Sequence, residues 1–121
     1  MVHKIEHIAI IGLGLLGGSI GRAVKAYLPH IKVSGYDISE ETIERALHIG
    51  FIDHGIKSFA SDLKDIQAVI LCTPLGTFSD LAQQIIPHMS EGAILTDTGS
   101  VKQSVIDAIV PLLKDREDIA F

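Results

Sequence analysis

A doubly wound, three-layer α/β fold around a parallel sheet is predicted by two features of this chain of 121 residues. Apolar runs of strand length alternate with helical patterns along its length, the signature of parallel βαβ units. The first run, His7-Ile8-Ala9-Ile10-Ile11, leads straight into Gly12-Leu13-Gly14-Leu15-Leu16-Gly17 and a helical stretch, and the next apolar run ends in Asp37. A glycine turn between strand and helix, answered by an acid about 20 residues on, outlines a Rossmann-like dinucleotide site.

The elements follow in order. A strand is predicted at 8–12 and a helix at 15–27, which Pro29 ends. A second strand at 32–36 precedes a helix at 39–49 that Ser39 can cap. Between 51 and 65, Gly50, Gly55 and the cluster Ser58-Phe59-Ala60-Ser61 suggest a short third strand followed by a small helix or turn. A fourth strand at 68–72 is left by Pro74, a helical pattern covers 77–89, and a fifth strand spans 93–96. The last helix, 101–113, places Val101, Val105, Ile109 and Leu112-Leu113 on one face, and Pro111 ends or kinks it. Ile119-Ala120-Phe121 reads as the start of a further strand that is cut short, so a piece of a longer polypeptide is expected.

Size and composition narrow the function classes. A chain of this length suits a single dinucleotide-binding domain, residues 1–121, with no room for a full substrate domain. With 47% hydrophobic and 21% charged residues it is a folding composition, and its apolar runs are too short to cross a bilayer. Met1-Val2-His3-Lys4-Ile5-Glu6 lacks the apolar stretch of a signal peptide, so a cytoplasmic location is expected. A net charge of −5 opposes nonspecific binding of nucleic acid, and an anionic cofactor must be held by local backbone geometry. The single cysteine, Cys72, excludes an intramolecular disulfide, and no zinc-site spacing occurs. No partner that would lower its pKa lies near in sequence, so it reads as a core residue rather than a nucleophile.

The candidate cofactor residues follow from position. Gly12 allows the tight turn, Gly14 lets backbone N–H groups approach a pyrophosphate, and Gly17 lets the helix, opened by Leu15 and Leu16, pack on the strand. Asp37, with Ile38 beside it, is placed to accept from the adenosine ribose hydroxyls and to repel a 2′-phosphate, favouring NAD over NADP. It can equally open the Ser39-capped helix. Thr73 and Pro74 leave the fourth strand at the point where open α/β sheets bind ligands, and Thr73 is placed to meet a ribose. Thr98 and Ser100 follow the fifth strand, where they face the nicotinamide end or act as ordinary helix N-caps. None of the six histidines falls on a predicted carboxyl-end loop, and none is assigned catalysis.

Taken in order, Gly12-Leu-Gly-Leu-Leu-Gly-Gly-Ser-Ile-Gly21, Gly35-Tyr36-Asp37, Cys72-Thr73-Pro74 and Asp97-Thr98-Gly99-Ser100-Val101-Lys102 resemble the prephenate and arogenate dehydrogenase family, over essentially the whole chain. The doubled Gly17-Gly18-Ser19 and the DxGSVK segment carry the resemblance most narrowly. It implies NAD-dependent oxidative decarboxylation of prephenate to 4-hydroxyphenylpyruvate on the tyrosine pathway, driven by aromatisation. It further implies that Ser100 lies by the nicotinamide and orients substrate and a catalytic histidine. That histidine belongs to a GGHP-type segment that follows the strand begun at Ile119, and neither it nor the substrate-binding arginine occurs in this sequence. The resemblance also implies a helical C-terminal domain, absent from this chain, that makes the full-length protein a homodimer. The isolated chain is then expected to bind NAD without turning over prephenate. Two alternatives remain: a related dehydrogenase or reductase of the 3-hydroxyacid or pyrroline-carboxylate type, against which the DxGSVK loop argues, and a nucleotide-sensing regulatory domain, which fits the length.

Overall fold

The computed structural model describes residues 4–99 and 102–121. Five parallel strands form one sheet in the order β3-β2-β1-β4-β5. They are β1 (His7–Ile11), β2 (Lys32–Tyr36), β3 (His54–Gly55), β4 (Ala68–Leu71) and β5 (Ile94–Asp97), with α1 (Leu15–Tyr27), α2 (Glu40–Ile49), α3 (Phe59–Asp62), α4 (Phe78–Ile85) and α5 (Lys102–Ile109) between and after them. The order reverses between β1 and β4, which run side by side from Ile8↔Ala68 to Ile11↔Leu71.

Alternation along the strands sorts the core into two layers. Ile8, Ile10 and Val33 face α1 and α2, packing with Ala46, Ile52 and the half-buried Ile20 and Val24. Ala9, Ile11, Val69, Leu71 and Leu95 face the other way, onto Phe78, Ala82, Ile85, Val105 and Ile109 of α4 and α5. The central strands are therefore apolar on both sides, as a parallel sheet covered by helices requires.

Local chemistry explains the ends. Ser39 Oγ accepts from Thr42 N–H at 3.3 Å to cap α2, and Leu28 N–H closes α1 on the Val24 carbonyl at 2.7 Å. The unclear segment 51–65 holds a two-residue strand and one turn of helix, as its glycines and serines suggested. Asp53, just before β3, accepts from both Val33 N–H and Lys25 Nζ at 2.8 Å and so ties β3 to β2 and α1. Partial burial resists its charge, but these two donors hold its carboxyl below the usual range.

The helix read over 77–89 is broken in the structure. A 3-10 turn, Leu75–Thr77, leads into α4, and a second, Ile86–His88, replaces its last turn. Pro87 is the cause: it has no N–H to give to the previous turn, and its ring crowds the carbonyl four residues back, so the chain tightens. Pro111 acts in the same way, turning α5 into a 3-10 stretch at Val110–Leu113. Val105 and Ile109 carry the buried face of α5 with half-buried Leu112 and Leu113, while Val101 lies outside the described residues. Ala120 forms an isolated parallel bridge to Ile94, with Leu95 N–H donating to its carbonyl at 2.8 Å, so the chain at Ala120 lies beside β5.

On the face of β1, β2 and β3 away from α1, His7 Nε2 lies 2.6 Å from Ser34 Oγ, and its ring is 6.3 Å from that of His54. Burial, and then the charges of His54 and Lys32, push the His7 imidazole below its ordinary value, against weaker pulls from Asp65 and Asp53. A folded-state value below the unfolded one, about 6.5, gives stability that is full above that value and is lost as pH falls through the folded one. Chemical denaturation is therefore expected to show stability falling as the pH drops below about 6.5. His7→Gln, which keeps a partner for Ser34, should flatten that slope. An unchanged slope would remove His7 from the account.

Candidate functional site

The glycine loop sits where the strand order reverses, at the carboxyl ends of β1 and β4. Gly12 has φ +102°, and a Cβ there would lie 2.8 Å from Thr73 Cγ2 and 2.9 Å from the Cys72 carbonyl carbon. Only glycine combines that backbone with that approach to the loop after β4. Gly17 is fixed by contact alone, because a Cβ would run into the Gly12 carbonyl oxygen. Gly14 differs, since a Cβ on it would meet no described atom within 4 Å and its φ of −70° suits any residue. The fold does not require this glycine. The open space before it, at the N-terminus of a helix of 13 residues, is the cradle a phosphate needs.

The loop is stitched to the end of β2. Gly12 N–H donates to the Tyr36 carbonyl at 2.7 Å, and Leu13 N–H donates to Asp37 Oδ2 at 2.9 Å. Asp37 Oδ1 accepts from Ser39 N–H at 3.0 Å, so the carboxylate joins the glycine loop to the cap of α2. Asp37 thus stands at the start of α2, as one sequence reading has it, and lies beside the glycine loop. Ile38 next to it is 93% exposed, as is Leu15, while Leu16 is 51% exposed. These apolar side chains cluster in sequence around the loop and the acid.

After β4, Thr77 Oγ1 donates to the Pro74 carbonyl at 2.6 Å and lies 2.9 Å from Thr73 Oγ1, closing the turn that carries Thr73 and Pro74. Thr98 N–H and hydroxyl reach the Leu71 carbonyl at 3.1 and 3.3 Å, which brings the loop after β5 against the end of β4. Burial pushes the Cys72 thiol up, against a hydrogen bond with Thr98, so Cys72 stays a thiol, half-buried against the core rather than fully within it. Ser100 lies outside the described residues. Gly12, Gly14, Gly17, Asp37, Thr73 and Thr98 are thus brought to one edge of the sheet.

Sequence reasoning named Asp97 within the DxGSVK segment but gave it no role; its side chain is 6% exposed. Its Oδ1 accepts from Gly99 N–H at 2.7 Å and lies 3.4 Å from Lys102 Nζ, fixing the loop that carries Thr98. The signal was present: like Asp37, it is an acid at the carboxyl end of a strand.

A hollow of about 410 Å³ beside Asp37, Ile38 and Ile43 adjoins this edge. A larger groove of about 930 Å³ lies by Lys4, His7, Lys32 and Gln67, at the amino ends of the strands. Ligands of open parallel sheets bind at the carboxyl ends, so volume alone does not locate the site. His7 begins β1 at its amino end, His30 lies in the turn before β2, His48 is on α2, His54 begins β3 and His88 is in the 3-10 turn after α4. His3 lies outside the described residues. Among the described residues no group of three His, Cys, Asp or Glu gathers as a metal site, and no helix is long and apolar enough to cross a membrane.

Known proteins share this arrangement. The family model for the nucleotide-binding domain of prephenate dehydrogenase matches residues 20–120. The cyclohexadienyl dehydrogenase of Zymomonas mobilis is 40% identical over 104 residues, covering 86% of this chain and 36% of that protein. The prephenate dehydrogenase of Bacillus subtilis is 40% identical over 115 residues, covering 92% and 30%. The chain thus spans about a third of the length of these relatives. A crystal structure of prephenate dehydrogenase from A. aeolicus, in complex with hydroxyphenyl propionate and NAD+, superimposes with a TM-score of 0.84 at 32% identity, covering 96% of this chain and 41% of that one. The family model's match begins after the glycine loop and covers most of the chain: the chain belongs to the prephenate dehydrogenase nucleotide-binding-domain family.

Proposed function

We propose that this chain is the NAD-binding domain of a dehydrogenase that oxidatively decarboxylates prephenate, or its amino analogue arogenate, in tyrosine biosynthesis. The observation that carries it is the glycine loop at the strand-order reversal, hydrogen-bonded to Asp37 through Leu13 N–H at 2.9 Å. The space before Gly14 and the N-terminus of α1, with Leu15 and Leu16, would take the pyrophosphate; Asp37 and Ile38 would take the adenosine; Thr73 and Pro74 a ribose. Thr98 and Ser100 would face the nicotinamide, with Ser100 orienting the substrate. NAD, when bound, supplies the acceptor for the hydride.

The described histidines lie at the amino ends of strands, in a turn or on helices, so none of them reaches the carboxyl edge as a general base. The domain alone therefore binds NAD and does not turn over prephenate. The base, the carboxylate-binding arginine and the dimer contacts belong to the remainder of a cytoplasmic homodimeric enzyme.

Calorimetric titration with NAD and NADP, followed by an assay of NAD reduction with prephenate, tests this. Saturable binding of NAD, weaker binding of NADP and no turnover are expected. Absence of NAD binding would overturn the cofactor site, and enzymatic turnover would overturn the division of labour.

A further inference from the structure

The role given to Asp37 above uses only its charge and its reach toward a ribose, yet both carboxylate oxygens are already engaged by backbone. Oδ2 accepts from Leu13 N–H at 2.9 Å and Oδ1 from Ser39 N–H at 3.0 Å. A carboxylate has about four acceptor directions, so each oxygen keeps one for a ligand. Leu13 is the second residue of the glycine loop, and its side chain is buried in the core beside Gly35 and Ile52. Together with the Gly12 N–H bond to the Tyr36 carbonyl at 2.7 Å, two successive amides pin the loop to the end of β2. The next residue, Gly14, is exposed and starts the phosphate cradle.

We propose that Asp37 is a positioning residue for phosphate binding: its bond to Leu13 N–H holds the glycine loop in its phosphate-binding shape, independently of any contact with the ribose. This rests on the nucleotide-binding reading and adds a consequence for cofactor choice. Removing the carboxylate would relieve repulsion of a 2′-phosphate but free the Leu13 amide, so a small residue at 37 loses NAD without gaining NADP.

Inorganic pyrophosphate separates the two roles because it carries no ribose. The probe is titrated into the wild-type chain, Asp37→Ala and Asp37→Asn while the backbone amide resonances of residues 13–17 are followed, with NAD titrated in parallel. A carboxylate that only reads ribose is, for pyrophosphate, a repelling charge, and its removal would leave binding unchanged or tighten it. A positioning carboxylate predicts the opposite: weakening of about tenfold in Asp37→Ala, the worth of roughly one charge-assisted hydrogen bond. Asp37→Asn, whose amide oxygen can still accept from Leu13 N–H, should recover most of the pyrophosphate affinity and serves also if Asp37→Ala does not fold.

Unchanged or tighter pyrophosphate binding in Asp37→Ala, with NAD binding intact in the wild type, would overturn the positioning role and leave the nucleotide reading standing. So would an Asp37→Asn variant that binds pyrophosphate no better than the alanine variant. A wild-type chain that binds neither probe would overturn both.

Discussion

Gly17→Ala is expected to lower NAD affinity by about a hundredfold and to destabilise the domain by about 3 kcal/mol. Position 17 lies in the first turn of α1, where alanine is the better helix former by about 1 kcal/mol. On propensity alone the change would stabilise. The deciding term is steric, because the new Cβ would run into the Gly12 carbonyl oxygen, with the Gly12 carbonyl carbon at 3.0 Å and Ile10 Cγ2 at 3.2 Å behind it. The obstructing atom is backbone, and that backbone is held by Thr73 on one side and by the Tyr36 carbonyl on the other. Relief requires moving the loop or lifting α1 off β1, and either change misaligns the N–H groups proposed to take the pyrophosphate.

Gly14→Ala is the matched control. Its Cβ meets no described atom within 4 Å, so its melting temperature should equal that of the wild type while NAD binding falls. Thermal denaturation beside calorimetry reads both variants. A Gly17→Ala protein as stable and as tight-binding as the wild type would show that the loop yields at little cost.

Arg116→Ala is expected to lower the melting temperature by about 8 °C, corresponding to a loss of about 2 kcal/mol. The guanidinium donates from Nη1 to the Ile86 carbonyl at 2.7 Å and from Nη2 to the Met89 carbonyl at 3.0 Å. The Ile86 carbonyl also accepts from Met89 N–H at 3.3 Å, whereas no backbone N–H among the described residues donates to the Met89 carbonyl at the end of the 3-10 turn. Arg116 also grips Asp118 through Nε and Nη2 at 3.0 and 2.9 Å, and Asp118 in turn accepts from Gly92 N–H at 2.9 Å. That hydrogen-bonded pair holds the Asp118 carboxyl well below the usual carboxylate range.

The Arg116–Asp118 pair faces solvent and contributes little by itself. The carbonyls carry the effect, because alanine leaves the Met89 carbonyl without its donor and the Ile86 carbonyl with only the 3.3 Å bond from Met89 N–H. Arg116→Lys, with one compact donor group in place of the fork, should recover only part of the loss. A melting temperature unchanged in Arg116→Ala would mean that water caps α4 equally well.

Much of this architecture was legible because it is local. Strands announced themselves as short apolar runs, α2 by the cap Ser39, and the turn between β1 and α1 by glycines whose spacing follows from the geometry of the turn. What escaped was either a competition within one segment or a contact between distant ones. The pattern over 77–89 is apolar at helical spacing throughout, and the single Pro87 outweighs it over the last turn. Asp97 was named only as the acid of the DxGSVK segment, because its bond to Gly99 N–H and its burial are contacts that the motif does not record. Arg116 bonds to carbonyls 27 and 30 residues away, and no periodicity encodes that. The double engagement of Asp37 by backbone is likewise a matter of angles that spacing does not record.

The strand order has a consequence for how the domain comes into being. β1 leaves the ribosome before the other four strands, yet it stands at the centre of the sheet between β2 and β4. β2 can join it early through α1, a short and local βαβ closure. Its other edge must wait for Ala68–Leu71, and joining them closes a long loop before any contact rewards it. During that interval a strand apolar on both faces has one edge of N–H and C=O groups open to any other extended chain. The strand most protected in the finished fold is therefore the most vulnerable during synthesis, and misassembly is to be sought at β1 before β4 arrives.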